Sequence, residues 1–239
     1  MRDLPASLLL DVLGRQRFGV EYQPLVHAKT GEIVAYEALA RFYDQAGAIL
    51  RTDHVFHALH DSPLTLFQVE YQMKQLQIDR APAGTLFLNL DPDAYQAADD
   101  GDEAHALLEL ISPRADVVLE IIENSDLSDA KQSARMADAF SQRQVRLALD
   151  DIGAPHSMLS LPLLLQVDCL KFDRSWFGQL DCPKAHAALV SLISYARETG
   201  KQTVMEGVEN DAQLAKARTL GVDLVQGFIY RPWFVTHQA

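Results

Sequence analysis

Residues 145–173 read VRLALDDIGAPHSMLSLPLLLQVDCLKFD. One apolar run, Val145–Asp150, ends on the adjacent acids Asp150 and Asp151. A Leu-rich segment near Met158–Gln166 follows, and a second apolar run, Cys169–Phe172, carries Lys171 and stops at Asp173. Short apolar runs separated by helix-length segments signal β-α-β units and a parallel sheet. The pattern repeats outward in both directions. Upstream, strand Thr85–Leu90 precedes a helix near Asp102–Ile111, and strand Val117–Ile122 precedes a helix near Ser128–Arg143. Downstream come a helix near Pro183–Thr199, strand Thr203–Val208, a helix near Asp211–Leu220 and strand Leu224–Tyr230. Towards the N-terminus, Phe18–Ala28 and Ile33–Phe42 flank the turn Lys29–Glu32, where Gly31 can take positive φ; this reads as an antiparallel hairpin. Asp53–Asp79 reads as largely helical with a break near Pro63. Eight strands over 239 residues predict an α/β fold, a modified (β/α)8 TIM-like barrel with an antiparallel first strand. An open, doubly wound sheet is the alternative, but no glycine-rich phosphate loop follows an early strand.

Oxygen-rich side chains recur at the ends of these runs: Glu37, Asn89, Glu120 with Glu123, Asp150 with Asp151, Lys171 with Asp173, Glu206 with Glu209, and Gln226. In a barrel those ends share one face, where active sites of such folds lie. Alternation puts Lys171 and Asp173 on one side, and Val204, Glu206 and Val208 on one side. Asp150 and Asp151 would point apart in a regular strand, but a turn at the strand end lets both reach one site. Each acid alone is more often a solvated surface group; the joint pattern carries the inference. Clustered carboxylates raise one another's pKa unless cations join them, and hard oxygen donors favour Mg²⁺ or Mn²⁺. An Asp-Asp pair suits two metals, one carboxylate bridging. Lys171 in an apolar strand needs an anionic partner to be buried.

The balance of 21 basic against 33 acidic residues gives a net charge of −12, which argues against tracking duplex DNA through its phosphates. The 48% hydrophobic content suffices for a core. Cys169 sits in an apolar run and reads as core, and with Cys182 it forms no CxxC motif; the expectation is a protein of the reducing cytoplasm. The apolar stretch Ser7–Leu10, cut by Asp11, is too short to span a membrane and reads as an amphipathic helix. Residues 1–17 are therefore read as an N-terminal helical extension, and 18–239 as the main domain.

The run Glu37-Ala38-Leu39-Ala40-Arg41 resembles the signature of EAL domains, bacterial cyclic-di-GMP phosphodiesterases. The resemblance continues, in order, through Tyr22-Gln23-Pro24, Asn89, Leu119–Glu123, Asp150-Asp151-Ile152-Gly153, Lys171-Phe172-Asp173, Glu206–Glu209 and Gln226-Gly227-Phe228. It implies two metals per site, Mg²⁺ or Mn²⁺. Glu37, Asn89, Glu120 and Asp150 resemble ligands of the first. Asp150, Asp151 and Glu206 resemble those of the second. Lys171 resembles the basic residue at the water or phosphate. Gln23, Leu39, Arg41, Asp173 and Gln226 resemble substrate contacts, and Glu123 the acid that anchors the loop after the Asp pair. The implied reaction is hydrolysis of cyclic-di-GMP to linear pGpG by metal-activated water. A homodimer and an upstream sensor or protein partner are implied candidates for assembly.

Three departures stand out. The loop Ile152–Leu159 carries Ala154 and Pro155 where the family has a hydroxyl and a flexible glycine, and Pro155 lacks an N–H. The segment after Arg41 carries His54, His57 and His60 at steps of three, which reads as a helical surface stripe rather than a metal face. Asp91 stands where the family often has Ser. A catalytically silent cyclic-di-GMP receptor is therefore the second reading, and a pure interaction domain the third. Retention of every expected ligand favours the enzyme; the altered loop favours the receptor; Arg41 and Gln23 argue against the interaction domain.

Overall fold

The computed structural model describes residues 5–98, 105–122, 127–155 and 157–238. The chain opens with α1 (Ala6–Gly14), the hairpin β1 (Phe18–His27) and β2 (Ile33–Tyr43), and a short β3 (Ile49–Leu50). Helices α2 (Thr52–Leu59) and α3 (Pro63–Asp79) follow, then β4 (Thr85–Asn89), α4 (Pro92–Ala97) and α5 (Ala106–Ile111). The alternation continues with β5 (Val117–Ile122), α6 (Leu127–Gln142), β6 (Arg146–Ile152), α7 (Leu161–Gln166) and β7 (Cys169–Phe172). The last elements are α8 (Trp176–Gln179), α9 (Pro183–Glu198), β8 (Gln202–Met205), α10 (Asp211–Leu220), β9 (Leu224–Val225), a 3₁₀ turn Phe228–Trp233 and β10 (Val235–Gln238).

Local chemistry sets these boundaries. Proline opens α3 and α9 at their first turns, where its missing N–H costs nothing. Asn210 caps α10 by accepting from the Gln213 amide at 3.0 Å, and Gly221, at φ +79, ends it. The expected break at Pro63 separates α2 from α3.

The sheet closes on itself. β2, β4, β5, β6, β7, β8 and β9 pair in parallel in that order, and β1 joins the two ends by pairing antiparallel with both β2 and β9. This is the eight-stranded barrel that the sequence predicts, antiparallel first strand included. β3 and β10 are additions at the rim, paired with β2 and β1.

Period-two alternation sorts the core into two compartments. Leu25, Ala35, Phe87, Val118, Ala148, Cys169, Val204 and Leu224 fill the barrel interior, one from each strand. The opposite faces, with Leu119, Leu147, Leu170 and Phe172 among them, pack against the helices. A third cluster joins Val12 of α1 to Phe18, Phe42, Val55 and Met73.

Some expectations need correction. The last strand stops at Val225: Gly227 and the 3₁₀ turn containing Pro232 cannot continue the ladder. β8 stops at Met205, and Gly207, at φ +66, turns the chain. Val208 therefore packs among the helices and does not share a face with Val204. The helix near Asp102–Ile111 is described from Ala106 onward, and the run Asp100–Glu103 lies outside the described residues. Among the described residues no helix is long and apolar enough to cross a membrane.

Candidate active site

Two residues beyond each interior apolar side chain, toward the same end of the barrel, stands a polar one. The pairs are Ala35 and Glu37, Phe87 and Asn89, Val118 and Glu120, Ala148 and Asp150, Cys169 and Lys171, Val204 and Glu206, Leu224 and Gln226. β1 runs the other way, so its pair reads backwards, Leu25 then Gln23. The pleat thus stacks a polar ring on an apolar plug.

Lys171 is fully buried at the centre of this ring. Its ammonium pairs with Glu120 Oε1, with Glu206 Oε1 at 2.8 Å and Asp150 Oδ1 at 3.0 Å, and lies 3.7 Å from Glu37 Oε2. Asn89 Nδ2 donates to Glu37 Oε1 (3.0 Å) and Glu120 Oε2 (2.8 Å). Gln226 Nε2 donates to Glu37 Oε2 at 2.5 Å. Carboxylate oxygens of Glu37, Glu120 and Asp150 lie within 4.8 Å of one another, as do those of Asp150, Asp151 and Glu206; Asp150 belongs to both groups. Asp151 reaches the second group because its backbone is left-handed (φ 56), at the point where the β6–β7 register slips. Asp is among the residues that tolerate this conformation.

Charge in the ring is unbalanced, five carboxylates against one ammonium. Burial and the neighbouring Glu37 push Glu120 well above the usual carboxylate range. Burial and Asp150 do the same to Glu206. Burial raises Asp150 as well, and burial with Asp150 brings Asp151 up to about 6. Burial also acts to raise Glu37, but the Lys171 charge and the amides of Gln226 and Asn89 outweigh it and hold Glu37 low. For Lys171, burial is opposed by the surrounding acids, chiefly Asp150 and Glu120, which push it well above its ordinary value. Burial drives the Cys169 thiol upward, leaving it inert. Carboxylates so raised lack positive charge, and their two overlapping groups of hard oxygens fit a pair of divalent cations.

Above the ring opens a cavity of about 550 Å³, within the range of small-molecule sites. Gln23, Leu39, Asp173 and Gln226 line it. Arg41 does not: its Nη2 pairs with Glu21 Oε1 at 2.6 Å, and Gln23 Nε2 donates to that same oxygen at 2.9 Å. Glu21 was not singled out in the sequence, although it sits two residues from Gln23 on one strand face. The cavity also meets Glu70, Lys74 and Gln77, buried polar residues at helical spacing on α3. Lys74 donates to Glu70 at 2.5 Å. Of the three histidines, His60 meets acids: Nε2 lies 2.9 Å from Asp91 Oδ2 and 3.7 Å from Asp93 Oδ2, at the cavity edge. Glu123 lies outside the described residues. Within them, the loop after Asp151 is held by α8: Trp176 Nε1 donates to the Ile152 carbonyl (2.7 Å) and Ser175 Oγ to that of Gly153 (2.9 Å).

A family model described as EAL domain matches residues 6–232. This chain belongs to the EAL domain family. Its relatives include cyclic di-GMP phosphodiesterase PdeL of Escherichia coli (strain K12), 25% identical over 88% of this chain and 60% of PdeL. The bifunctional diguanylate cyclase/cyclic di-GMP phosphodiesterase MucR of Pseudomonas aeruginosa is 28% identical over 92% of this chain and 34% of MucR. This EAL domain thus spans three-fifths or less of either curated relative. Among solved structures, the Bacillus subtilis YkuI protein with an EAL domain, in complex with substrate c-di-GMP and calcium, superposes with a TM-score of 0.76 at 25% identity. That match covers 92% of this chain and 57% of the other.

Proposed function

We propose that this EAL domain is a phosphodiesterase that hydrolyses cyclic-di-GMP to linear pGpG with two divalent cations, Mg²⁺ or Mn²⁺. The observation that carries the reading is the double group of carboxylates sharing Asp150 at the floor of a ligand-sized cavity, four of the five acids raised in pKa chiefly by burial. Glu37, Asn89, Glu120 and Asp150 would hold one cation, and Asp150, Asp151 and Glu206 the other. When bound, such cations polarise a phosphodiester and acidify a water molecule.

The chain's own residues supply positioning. Asn89 and Gln226 each donate to a different oxygen of Glu37, fixing its carboxylate plane. Lys171 Nζ, held protonated among four acids, fixes their carboxylates from beneath the cavity floor. Water adds to phosphorus, the ribose 3′-oxygen leaves and takes up the proton, and a 5′-phosphate remains. Gln23, Leu39, Asp173 and Gln226 form cavity wall around the dinucleotide, and Arg41, paired with Glu21, follows Leu39 on the same face of β2. The domain works in the cytoplasm, as a homodimer or under an upstream sensor or protein partner.

The receptor reading rests on the loop after Asp151, where Ala154 and Pro155 stand in place of a hydroxyl residue and a flexible glycine. Incubation of the purified protein with cyclic-di-GMP and Mg²⁺ or Mn²⁺, with pGpG followed by chromatography, separates the two. Turnover that Glu37→Ala abolishes supports the enzyme. Tight binding without turnover supports the receptor. Calcium, with longer and looser coordination, should suppress turnover.

A further inference from the structure

We propose that Arg174 binds a phosphate oxygen of the dinucleotide, as the cation the cavity keeps free for it; this rests on the ligand class argued above. The basic groups around the site are few, and most are already committed. Lys171 is fully buried beneath the acids and paired with them. Lys74 is buried and bound to Glu70. Arg41 is paired with Glu21 and lies off the wall. Arg174 lines the wall and is exposed; among the described residues its guanidinium has neither an ion pair nor a hydrogen bond.

The backbone builds a seat for it. Asp173 Oδ1 accepts from the Ser175 amide at 2.8 Å, fixing the turn on which Arg174 sits. Across from it, Gly207 follows the ring residue Glu206 with φ +66. A Cβ at Gly207 would stand 2.2 Å from Arg174 Cβ, 3.2 Å from Cδ and 3.3 Å from Cγ. The bare glycine therefore lets the aliphatic stem of Arg174 lie against the chain beside Glu206, and Arg174 shares the cavity wall with Asp173 and Glu209. A ligand with two phosphodiesters entering so acidic a cavity needs positive charge beyond the metal floor. A planar guanidinium fork suits phosphate oxygens better than a point charge does.

Arg174→Met keeps the stem and removes the charge, and Arg174→Lys returns a charge without the fork. Cyclic-di-GMP affinity is measured by calorimetry with Ca²⁺ present, so binding is read whether or not the protein turns over; KM and kcat are measured with Mg²⁺. For Arg174→Met we expect about tenfold weaker binding, the scale of one charge-assisted hydrogen bond near a surface. KM should rise about as much with kcat nearly unchanged, the signature of uniform binding. Arg174→Lys should recover part of the loss, and wild-type affinity should fall more steeply with KCl than that of Arg174→Met. Affinity of Arg174→Met within twofold of wild type, or a loss with an unaltered salt slope and no recovery by lysine, overturns the assignment while leaving the ligand class intact. Failure of the wild-type protein itself to bind cyclic-di-GMP removes the ligand class and this inference together.

Discussion

Lys171 shows how one side chain can hold a site together. It neutralises part of a buried acidic ring, and removing one partner of a buried charge network costs roughly 3–5 kcal/mol. Lys171→Met should therefore lower the urea midpoint markedly in EDTA, and Mg²⁺ should restore much of it; an unchanged midpoint would contradict a stabilising role. The pH dependence has a definite sign. Asp151 is raised to about 6 from an unfolded value near 4, so the stability it contributes is present below about pH 4 and is lost as pH rises through about 6. Metal-free protein should lose melting temperature between about pH 4 and pH 6, and Asp151→Asn should flatten that portion of the profile. His60 has the same sign. Burial lowers it, but the Phe56 carbonyl and Asp91 and Asp93 together raise it, so its contribution is full below about pH 6.5 and fades above its folded value. The ring residues were legible in the sequence because each interrupts or ends an apolar run. Glu21 and Arg174 were not. What distinguishes them is the presence or absence of a partner across space, which no periodicity records.

At the scale of elements, the loop after Asp151 depends on α8. Gly153 has φ +86, and a Cβ there would stand 2.4 Å from Trp176 Nε1. Gly153→Ala should therefore cost about 2–4 kcal/mol, from the left-handed backbone and the overlap with the indole. Trp176→Phe removes one of the two donors to the Ile152 carbonyl, leaving the Asp173 amide at 3.1 Å, and should cost about 0.5–1.5 kcal/mol. Denaturant midpoints measure both, and equal stability in either variant would detach α8 from the loop. Sequence reasoning saw the alternation of strands and helices because the strands keep period two, α3 and α9 open on Pro, and α10 runs from an Asn cap to Gly221. It missed α8, four residues long, and α4, six residues long, since elements so short carry too few periods to read. It overran β8 and β9 because the apolar pattern continues past Gly207 and Gly227 while the backbone does not.

For the molecule as a whole, closure of eight strands makes the interior apolar layer a platform for the polar one. Phe87 is fully buried in that layer, two residues below Asn89. Val12, also fully buried, packs in a separate cluster between α1, the hairpin and α2–α3. If the platform argument holds, cavities in the two clusters should have different functional consequences at the metal ligands. Phe87→Ala should cost about 3–5 kcal/mol and Val12→Ala roughly 1–3 kcal/mol. Interiors pack densely, so the void left by Phe87 is shared by its neighbours in the layer, Ala35 and Val118, and these carry Glu37 and Glu120 two residues above. A small displacement there alters the spacing of ligating oxygens, so Phe87→Ala should lose divalent-cation affinity by tenfold or more in calorimetry. Val12→Ala, measured at a temperature where both variants are fully folded, should bind the cation within twofold of wild type. Equal loss in the two variants would mean that the ring responds to overall stability rather than to the layer beneath it.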